Sequence, residues 1–455
     1  MMNLSAMAKY EAYKDSGVEW LGDIPEHWNV LRFRDLFKFG RGLTITKENL
    51  QEEGIPCISY GEVHSKYGFE FSPQKHILKC VSDDYLIKSS NSLLNEGDFI
   101  FADTSEDIEG SGNFSQLITD DVVFAGYHIV ICRPQGLNNH RYLAYCIESN
   151  SYRDQVRVQV KGVKVYSITQ SILKNTHIWL PKVEEQKLIS NFLDQKTAQI
   201  DEAIAIKEQQ IELLKEHRQI IIQQAVTQGL DPKVTMKDSG VEWVGQIPEH
   251  WEAVKLSNVA KIDAGSTPSR SNSNYWGGNI PWIKTGEVNY NTIFGSEECI
   301  TTAGLKGSSL RLAPIGTLLM AMYGQGVTRG RVAILGIPAT YNQACCGITF
   351  KSCVNVEFAR FFFIAAYSYI REDGNETSQM NLSAGYISSI RIAVPNLDEQ
   401  GIIIKYLDAF SLSVDEAVSL QVQQIQRLKE YKTTLINSAV TGKIKVTADM
   451  VHAHA

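Results

Sequence analysis

A fifteen-residue phrase occurs twice in this chain: Lys14–Trp28 (KDSGVEWLGDIPEHW) returns as Lys237–Trp251 (KDSGVEWVGQIPEHW), thirteen positions being identical at an offset of 223 residues. Such a match, flanked by sequence that has diverged almost completely, means that the protein is two copies of one unit. What the copies share is then a common frame, and what distinguishes them is what each copy reads or binds. At 455 residues the chain exceeds what one hydrophobic core usually spans, so two domains with connecting elements are expected.

A second duplicated element closes each variable stretch. Pro181-Lys182-Val183-Glu184-Glu185-Gln186 recurs as Pro395-Asn396-Leu397-Asp398-Glu399-Gln400, an offset of 214, and a strongly helical run of about forty residues follows each. In the first run Ile200, Ile204, Lys207, Ile211, Leu214, Arg218, Ile221 and Ala225 step alternately by four and three. Val414, Val418, Gln421, Ile425, Leu428, Lys432, Leu435 and Ala439 repeat that seam position for position. Most amphipathic helices pack such a stripe on their own domain. Here the stripe is narrow, runs for nearly four heptads, and carries polar residues at the same two seam positions in both copies (Lys207 with Gln421, Arg218 with Lys432), as a register-setting device would. Two long paired helices are the expectation.

The order is phrase, variable domain, helix, then the same again. In mid-chain a helix leads directly into a phrase, whereas the last helix ends at Ala439-Val440-Thr441-Gly442-Lys443 and its matching phrase lies at the N-terminus. If those ends meet in space as the central ones meet in sequence, the plan is a circular pseudo-two-fold. The expected fold class is therefore α+β, with two mixed α/β domains separated by two long antiparallel coiled-coil helices. Its segments are an N-terminal phrase (1–29), a first domain (30–183), a helix (184–230), the repeated phrase (231–252), a second domain (253–394), a second helix (395–443) and a tail (444–455). Short β-rich runs such as Phe99-Ile100-Phe101 and His128–Cys132, separated by Gly-rich turns, give both domains their strands.

Composition narrows the function. No apolar run approaches the roughly 18–20 residues that span a bilayer, and the first residues lack the apolar core of a secretory signal, so a membrane role is not expected and a cytoplasmic location is. Eight cysteines without a C-x-x-C pair read as reduced, mostly buried thiols, with no metal site. A net charge of −7 argues against gripping a polyanion by bulk charge. The charge is uneven, however: residues 252–394 carry 12 Lys and Arg against 9 Asp and Glu, and residues 30–180 carry 16 against 18. Any polyanion is held by local patches or with a partner's help. No Walker phosphate loop, dinucleotide-binding glycine pattern or Asn/Asp-Pro-Pro-aromatic tetrapeptide is present. Glu185-x-Lys187 looks like half of a nuclease motif but opens a helix without a nearby preceding Asp, and reads as solvated helix surface.

The Asp-Ser-Gly-Val-Glu-Trp…Ile-Pro-Glu-His-Trp phrase, the Pro…Glu-Gln helix opening and the Ala-Val-Thr-Gly-Lys ending occur in an order that resembles the specificity (S) subunit of type I restriction-modification systems along essentially the whole chain. Ile280-Pro281-Trp282-Ile283 followed by Gly286-Glu287-Val288, and Asn342-Gln343-Ala344, add to the likeness. The resemblance implies two target recognition domains, each reading half of a split, asymmetric double-stranded DNA site, with the helices as a ruler for the unread spacer. It further implies two modification subunits that bind S-adenosylmethionine and methylate adenine, and commonly restriction subunits with motor and nuclease activities. On this reading the chain is no enzyme and holds no cofactor. A protein–protein scaffold and a free-standing enzyme are the competing classes; sequence-specific duplex binding with a partner present separates the first reading from both.

Base readout needs forked donors and acceptors, and phosphate contacts need cations or bare backbone amides. In the first domain the candidates are Arg41 and Thr44 at a loop entrance, Lys161 and Lys164, and Tyr166. In the second they are Ser266 and Arg270 at the matching entrance, Gln325, Thr328, Arg329 and Arg331 in a Gly-rich turn, and Gln379, Asn381 and Ser383 before the last strand. A solvated turn competes with DNA contact at each position. Trp20, Trp28, Trp243 and Trp251 belong to the shared phrase and read as packing or docking anchors.

Overall fold

The structure is a computed structural model and describes residues 7–162, 165–324, 327–372 and 381–452. The chain forms two compact units, Met1–Ile206 with Gln423–Ala455, and Lys207–Val422. Each unit holds one phrase, one variable domain, the first part of one long helix and the last part of the other. That is the circular arrangement the repeat order predicts.

The phrase folds identically in both units because its turn chemistry is local. Tyr13–Asp15 pairs antiparallel with Asp23–Pro25, and Met236–Asp238 with Gln246–Pro248, in matched register. The Asp15 carboxylate accepts from the Gly17 amide at 2.9 Å and Asp238 does the same for Gly240 at 2.9 Å. Gly17 and Gly240 sit at φ 69° and 68°, in the left-handed region that explains glycine after Asp-Ser. Trp28 and Trp251 are fully buried. In the first unit the phrase packs against the end of the second long helix, where a Cβ on Gly442 would lie 2.3 Å from Pro25 and the Tyr13 hydroxyl donates to the Gly442 carbonyl at 3.1 Å. In the second unit Gly229 stands equivalently beside Trp251 and Pro248.

Both variable domains share one topology despite their diverged sequences. The first has a five-stranded sheet ordered Phe37–Arg41, Ile129–Pro134, Phe99–Ala102, Phe114–Leu117, Phe69–Phe71, beside a three-stranded sheet ordered Phe124–Ala125, Ile55–Ile58, Lys79–Val81. The second repeats both orders with Ala260–Ala264, Cys345–Phe350, Leu318–Ala321, Val332–Leu335, Thr292–Ile293, and with Thr340–Tyr341, Trp276–Ile283, Cys299–Ile300. The parallel pairings recur at the same places. Each domain is closed by its own ends: Asn29–Arg32 pairs with His177–Leu180, and Glu252–Lys255 with Arg391–Val394.

The long helices run Val183–Gln228 and Leu397–Val440. Along the seam Ile200, Ile204, Ile211, Val414, Ile425 and Leu435 are buried, Leu214, Ile221, Val418 and Leu428 are half-buried, and most residues between them are exposed. In the second unit Lys207 Nζ donates to Gln421 at 3.1 Å and Arg218 to Asp415 at 2.6 Å, so the helices run antiparallel. In the first unit Lys432 reaches Asp201 at 2.7 Å. Each polar seam residue is thus matched across the pair.

The Glu-Gln opening fastens three elements at once. Gln186 accepts from the Asn139 amide at 2.9 Å and donates to the Pro181 carbonyl at 3.0 Å; Gln400 accepts from Asn355 at 2.7 Å and donates to Cys353 and Pro395 at 2.9 and 2.8 Å. Both glutamines are buried, and each joins its helix to the start of a domain helix, His140–Glu148 or Val356–Ala365. The preceding glutamate faces the phrase. Glu185 accepts from Tyr10 at 2.6 Å and Trp28 at 3.3 Å and pairs with His27 at 2.8 Å, while Glu399 pairs with His250 at 3.0 Å. Burial, then the hydrogen bond to Glu185, pushes the Tyr10 phenol far above its ordinary range. Glu185 is therefore a clasp, not open helix surface.

Candidate nucleic-acid interface

One loop cluster in each unit rests on the same backbone hydrogen bonds. In the first unit the Gly42 amide donates to Ile129 at 3.0 Å, Leu43 to Ala125 at 2.8 Å, Asp103 to His128 at 3.0 Å and Ile168 to Asp103 at 2.8 Å. In the second, Gly265 donates to Cys345 at 3.0 Å, Ser266 to Tyr341 at 3.1 Å, Met322 to Ala344 at 2.8 Å and Leu382 to Met322 at 3.0 Å. The duplicated glycines are explained by close approach: a Cβ on Gly42 would lie 1.9 Å from the Gly126 carbonyl oxygen, and one on Gly265 2.0 Å from that of Asn342. Chain segments distant in sequence are thereby brought to one rim.

On the first rim Arg41 and Thr44 are exposed and line a groove with Asp103, Tyr127, His128, Ser167, Thr169 and Gln170. Tyr166–Ser167 pairs with Thr104–Ser105, and Lys161 bridges to Ser167, which places Lys161 and Tyr166 next to this groove, although Ser167 lines it and they do not. Lys164 lies outside the described residues. Thr169 caps the helix Gln170–Asn175 by accepting from Ile172 at 3.2 Å, so its hydroxyl has structural work.

The second rim is differently equipped. Ser266 accepts from Ser309 Oγ at 3.0 Å, and Thr267 bonds Gln343. Arg270 lies over Trp276 at 3.8 Å and pairs with Glu298 at 2.5 Å, while Lys284 reaches Glu297 at 2.7 Å and Glu298 at 3.3 Å. These contacts shift the groups as expected: hydrogen bonds to Glu297 and Glu298 hold Lys284 above its ordinary range, and the bond from Arg270 holds Glu298 below its own. Ser383 caps Ala384–Ser389 through Tyr386 at 3.1 Å, as Thr169 does in the first unit, and Asn381 beside it is exposed. Gln325 and Gln379 lie outside the described residues.

In the Gly-rich turn both candidate guanidiniums are engaged within the domain. Arg329 is buried, 8% exposed, and donates to the Arg371 carbonyl at 2.9 Å. Arg331 is drawn to Asn289 at 2.8 Å. Each guanidinium satisfies a main-chain or side-chain acceptor that arrives from a remote part of the chain; of the described turn Gly324 and Val327 are exposed, and Thr328 and Arg331 are half-buried.

Sequence reasoning missed Asp103, Tyr127 and His128. His128 pairs with Asp103 at 3.0 Å, and its ring meets those of Tyr60 and Tyr127 edge-on at 5.6 and 5.9 Å. No motif marks them, because the rim that unites them exists only once the sheet has formed. Among the described residues no group of three or more His, Cys, Asp or Glu side chains could hold a metal, and no helix is long and apolar enough to cross a membrane.

Two copies of one frame, alike in backbone and unlike in the side chains of one rim, define a modular recognition protein. The comparisons agree: residues 25–216 and 248–428 each match the type I restriction modification DNA specificity domain, and the chain belongs to that family. It is similar to the type I restriction enzyme MjaVIII specificity subunit of Methanocaldococcus jannaschii, 22% identical over 93% of this chain and 94% of the relative. The MjaIX specificity subunit of the same organism is 32% identical over 37% of this chain and 39% of the relative. Among solved structures, a chain from a study of assembly and conformational transition of the type I R-M system matches at TM-score 0.68, with 14% identity over 92% of this chain and 98% of that one. The HsdS subunit from Thermoanaerobacter tengcongensis matches at 0.53, with 15% identity over 92% and 98%. Both share the fold.

Proposed function

We propose that this member of the specificity family reads a bipartite, asymmetric double-stranded DNA site, one half with each variable domain, and that the paired long helices set the unread spacer and dock two modification subunits. The observation that carries this reading is the pair of rims: the same strand order and backbone hydrogen bonds present Arg41, Thr44 and His128 in one copy and Ser266, Thr267 and Gln343 in the other. A fixed frame with exchangeable polar groups suits base readout, in which position is set by backbone contacts and sequence by side chains.

The chain itself is non-catalytic in this scheme. Methyl transfer to adenine from S-adenosylmethionine belongs to the modification subunits, cleavage to restriction subunits where a system has them, and the assembly works in the cytoplasm with the DNA. The phrase and the Glu-Gln clasps, being alike in both copies, suit identical partners; the rims, being unlike, suit different half-sites. Exchanging residues 30–180 for the corresponding domain of another family member tests the division. Methylome sequencing is expected to report a change confined to one half-site, and alteration of both halves would refute independent reading.

A further inference from the structure

We propose that Asp103 and His128 are the base-reading pair of the first variable domain, recognising the exocyclic amino group of a cytosine or adenine at one position of its half-site. This deepens the DNA-reading role proposed above and rests on it. Three independent features of the rim converge on the pair.

The first is contrast within an identical frame. Asp103 and Met322 occupy equivalent backbone positions, each amide donating across the rim (3.0 and 2.8 Å) and each carbonyl accepting from the segment just before the domain's last short helix, from Ile168 and Leu382 (2.8 and 3.0 Å). Their partners across the rim are His128 and Ala344. The frame therefore has no need of a carboxylate or an imidazole there, since the second copy closes the same bonds with Met and Ala. The second is conformation: His128 sits at φ 58°, one of three non-glycine residues at positive φ among those described. A residue held in that region invites a functional explanation, and histidine is among the few side chains that tolerate it. The third is preorganisation. Tyr60 and Tyr127 fence the imidazole edge-on, at 80° in each case, while His128 stays exposed in the groove that Arg41 and Thr44 also line.

The chemistry follows from the 3.0 Å contact between His128 Nδ1 and Asp103 Oδ1. Asp103 Oδ1 accepts the Nδ1 proton, which leaves Asp103 Oδ2 as an acceptor toward the groove, joined by the Nε2 lone pair whenever the ring carries a single proton. Adenine N6 and cytosine N4 are the major-groove donors; guanine, with acceptors at N7 and O6, is repelled. Arg41 beside the pair supplies a cation for the adjoining phosphate.

The test is the modification motif of the assembled complex carrying His128→Ala, Asp103→Ala or His128→Asn, read by methylome sequencing and by competition between duplexes differing at single positions. One position of the first half-site is expected to lose roughly 5- to 150-fold of its preference for an amino-bearing base, with the spacer and second half-site unchanged. His128→Asn, which keeps a residue tolerant of positive φ, covers the case in which His128→Ala does not fold. An unchanged motif in a folded variant overturns the proposal, as does a shifted spacer or second half-site. If exchange of residues 30–180 still changes the first half-site while these variants do not, this pair fails and the domain-level reading stands.

Discussion

Replacing the buried glutamine that opens the second long helix should loosen the whole second unit, by an amount that can be worked from its bonds. Gln400 is 0% exposed, accepts from the Asn355 amide at 2.7 Å and donates to the Cys353 and Pro395 carbonyls at 2.9 and 2.8 Å. Gln400→Leu keeps the bulk and leaves three main-chain groups without partners. At about 1–3 kcal/mol for each unpaired buried group, and with solvent rescuing part of the Cys353 side, the loss should be about 3 kcal/mol or more. That corresponds to roughly 6–12 °C in melting temperature for a unit of this size. Gln400→Glu should be no milder at neutral pH, since a carboxylate would face two carbonyls. Its carboxyl, pushed up by burial, regains a donor when protonated, so that penalty shrinks as the pH falls. Scanning calorimetry with hydrogen exchange at the Asn355 amide reads both effects. A Gln400→Leu protein within 1 kcal/mol of the parent, with that amide still protected, would refute the clasp.

Three further outcomes are expected. Inserting one heptad into each long helix lengthens it by about 10 Å, so the preferred spacer should grow by roughly three base pairs at about 3.4 Å each, with both half-sites intact; a variant that keeps its old spacer in methylome data removes the ruler. Gly42→Ala places a carbon 1.9 Å from a carbonyl oxygen and should cost about 1–3 kcal/mol in denaturant unfolding. Gly61→Ala, with nothing within 4 Å, should be neutral, and equal effects would void the close-approach account. Burial pushes the Cys57 and Cys346 thiols up to about 12, so both should resist alkylation at pH 8 while exposed Cys353 reacts. Because these thiols ionise more readily unfolded, the stability they contribute is complete below about pH 9 and is lost as the pH rises from there toward 12. Melting that is flat across that window would contradict it.

How much of this was legible in the sequence depends on the range of the interaction. The phrase could be recognised because it is duplicated; its hairpins went unread although their turn bonds, Asp15 with Gly17 and Asp238 with Gly240, span only two residues. The seam could be read because a heptad is local; of its polar residues duplication paired Lys207 with Gln421, which do meet, whereas the partners of Arg218 and Lys432 are Asp415 and Asp201 beside the seam. Arg329 misled because composition describes a turn and says nothing of the Arg371 carbonyl that takes its guanidinium. Glu185 misled likewise, because Tyr10 and His27 approach it from the other end of the unit. Asp103 and His128 were invisible: they are brought together by sheet pairing between Phe99–Ala102 and Ile129–Pro134. Side chains that vary by role carry no signature, and only the frame around them does.

That frame also explains how variation can be confined to one half of the recognition problem. Each domain begins and ends in one strand pair, with Asn29 opposite Leu180 and Glu252 opposite Val394. The chain thus enters and leaves the domain at adjacent points, and the buried glutamine that follows fixes the exit to the long helix. A foreign domain that preserves those two strands meets the same ladder, the same clasp and the same phrase, so its rim can change without moving its neighbours. Cutting inside the pair is different. A junction between Val30 and Arg32, opposite Trp179 and His177, mates a foreign first strand with a resident last one and places the buried Trp179 against unmatched side chains. Exchanges that carry the two strands together, as 30–180 does for all but Asn29, should therefore give active proteins with one new half-site, and exchanges that split the strands should give unstable ones; equal yield and activity for both would mean that the strand pair is not what makes the domains exchangeable.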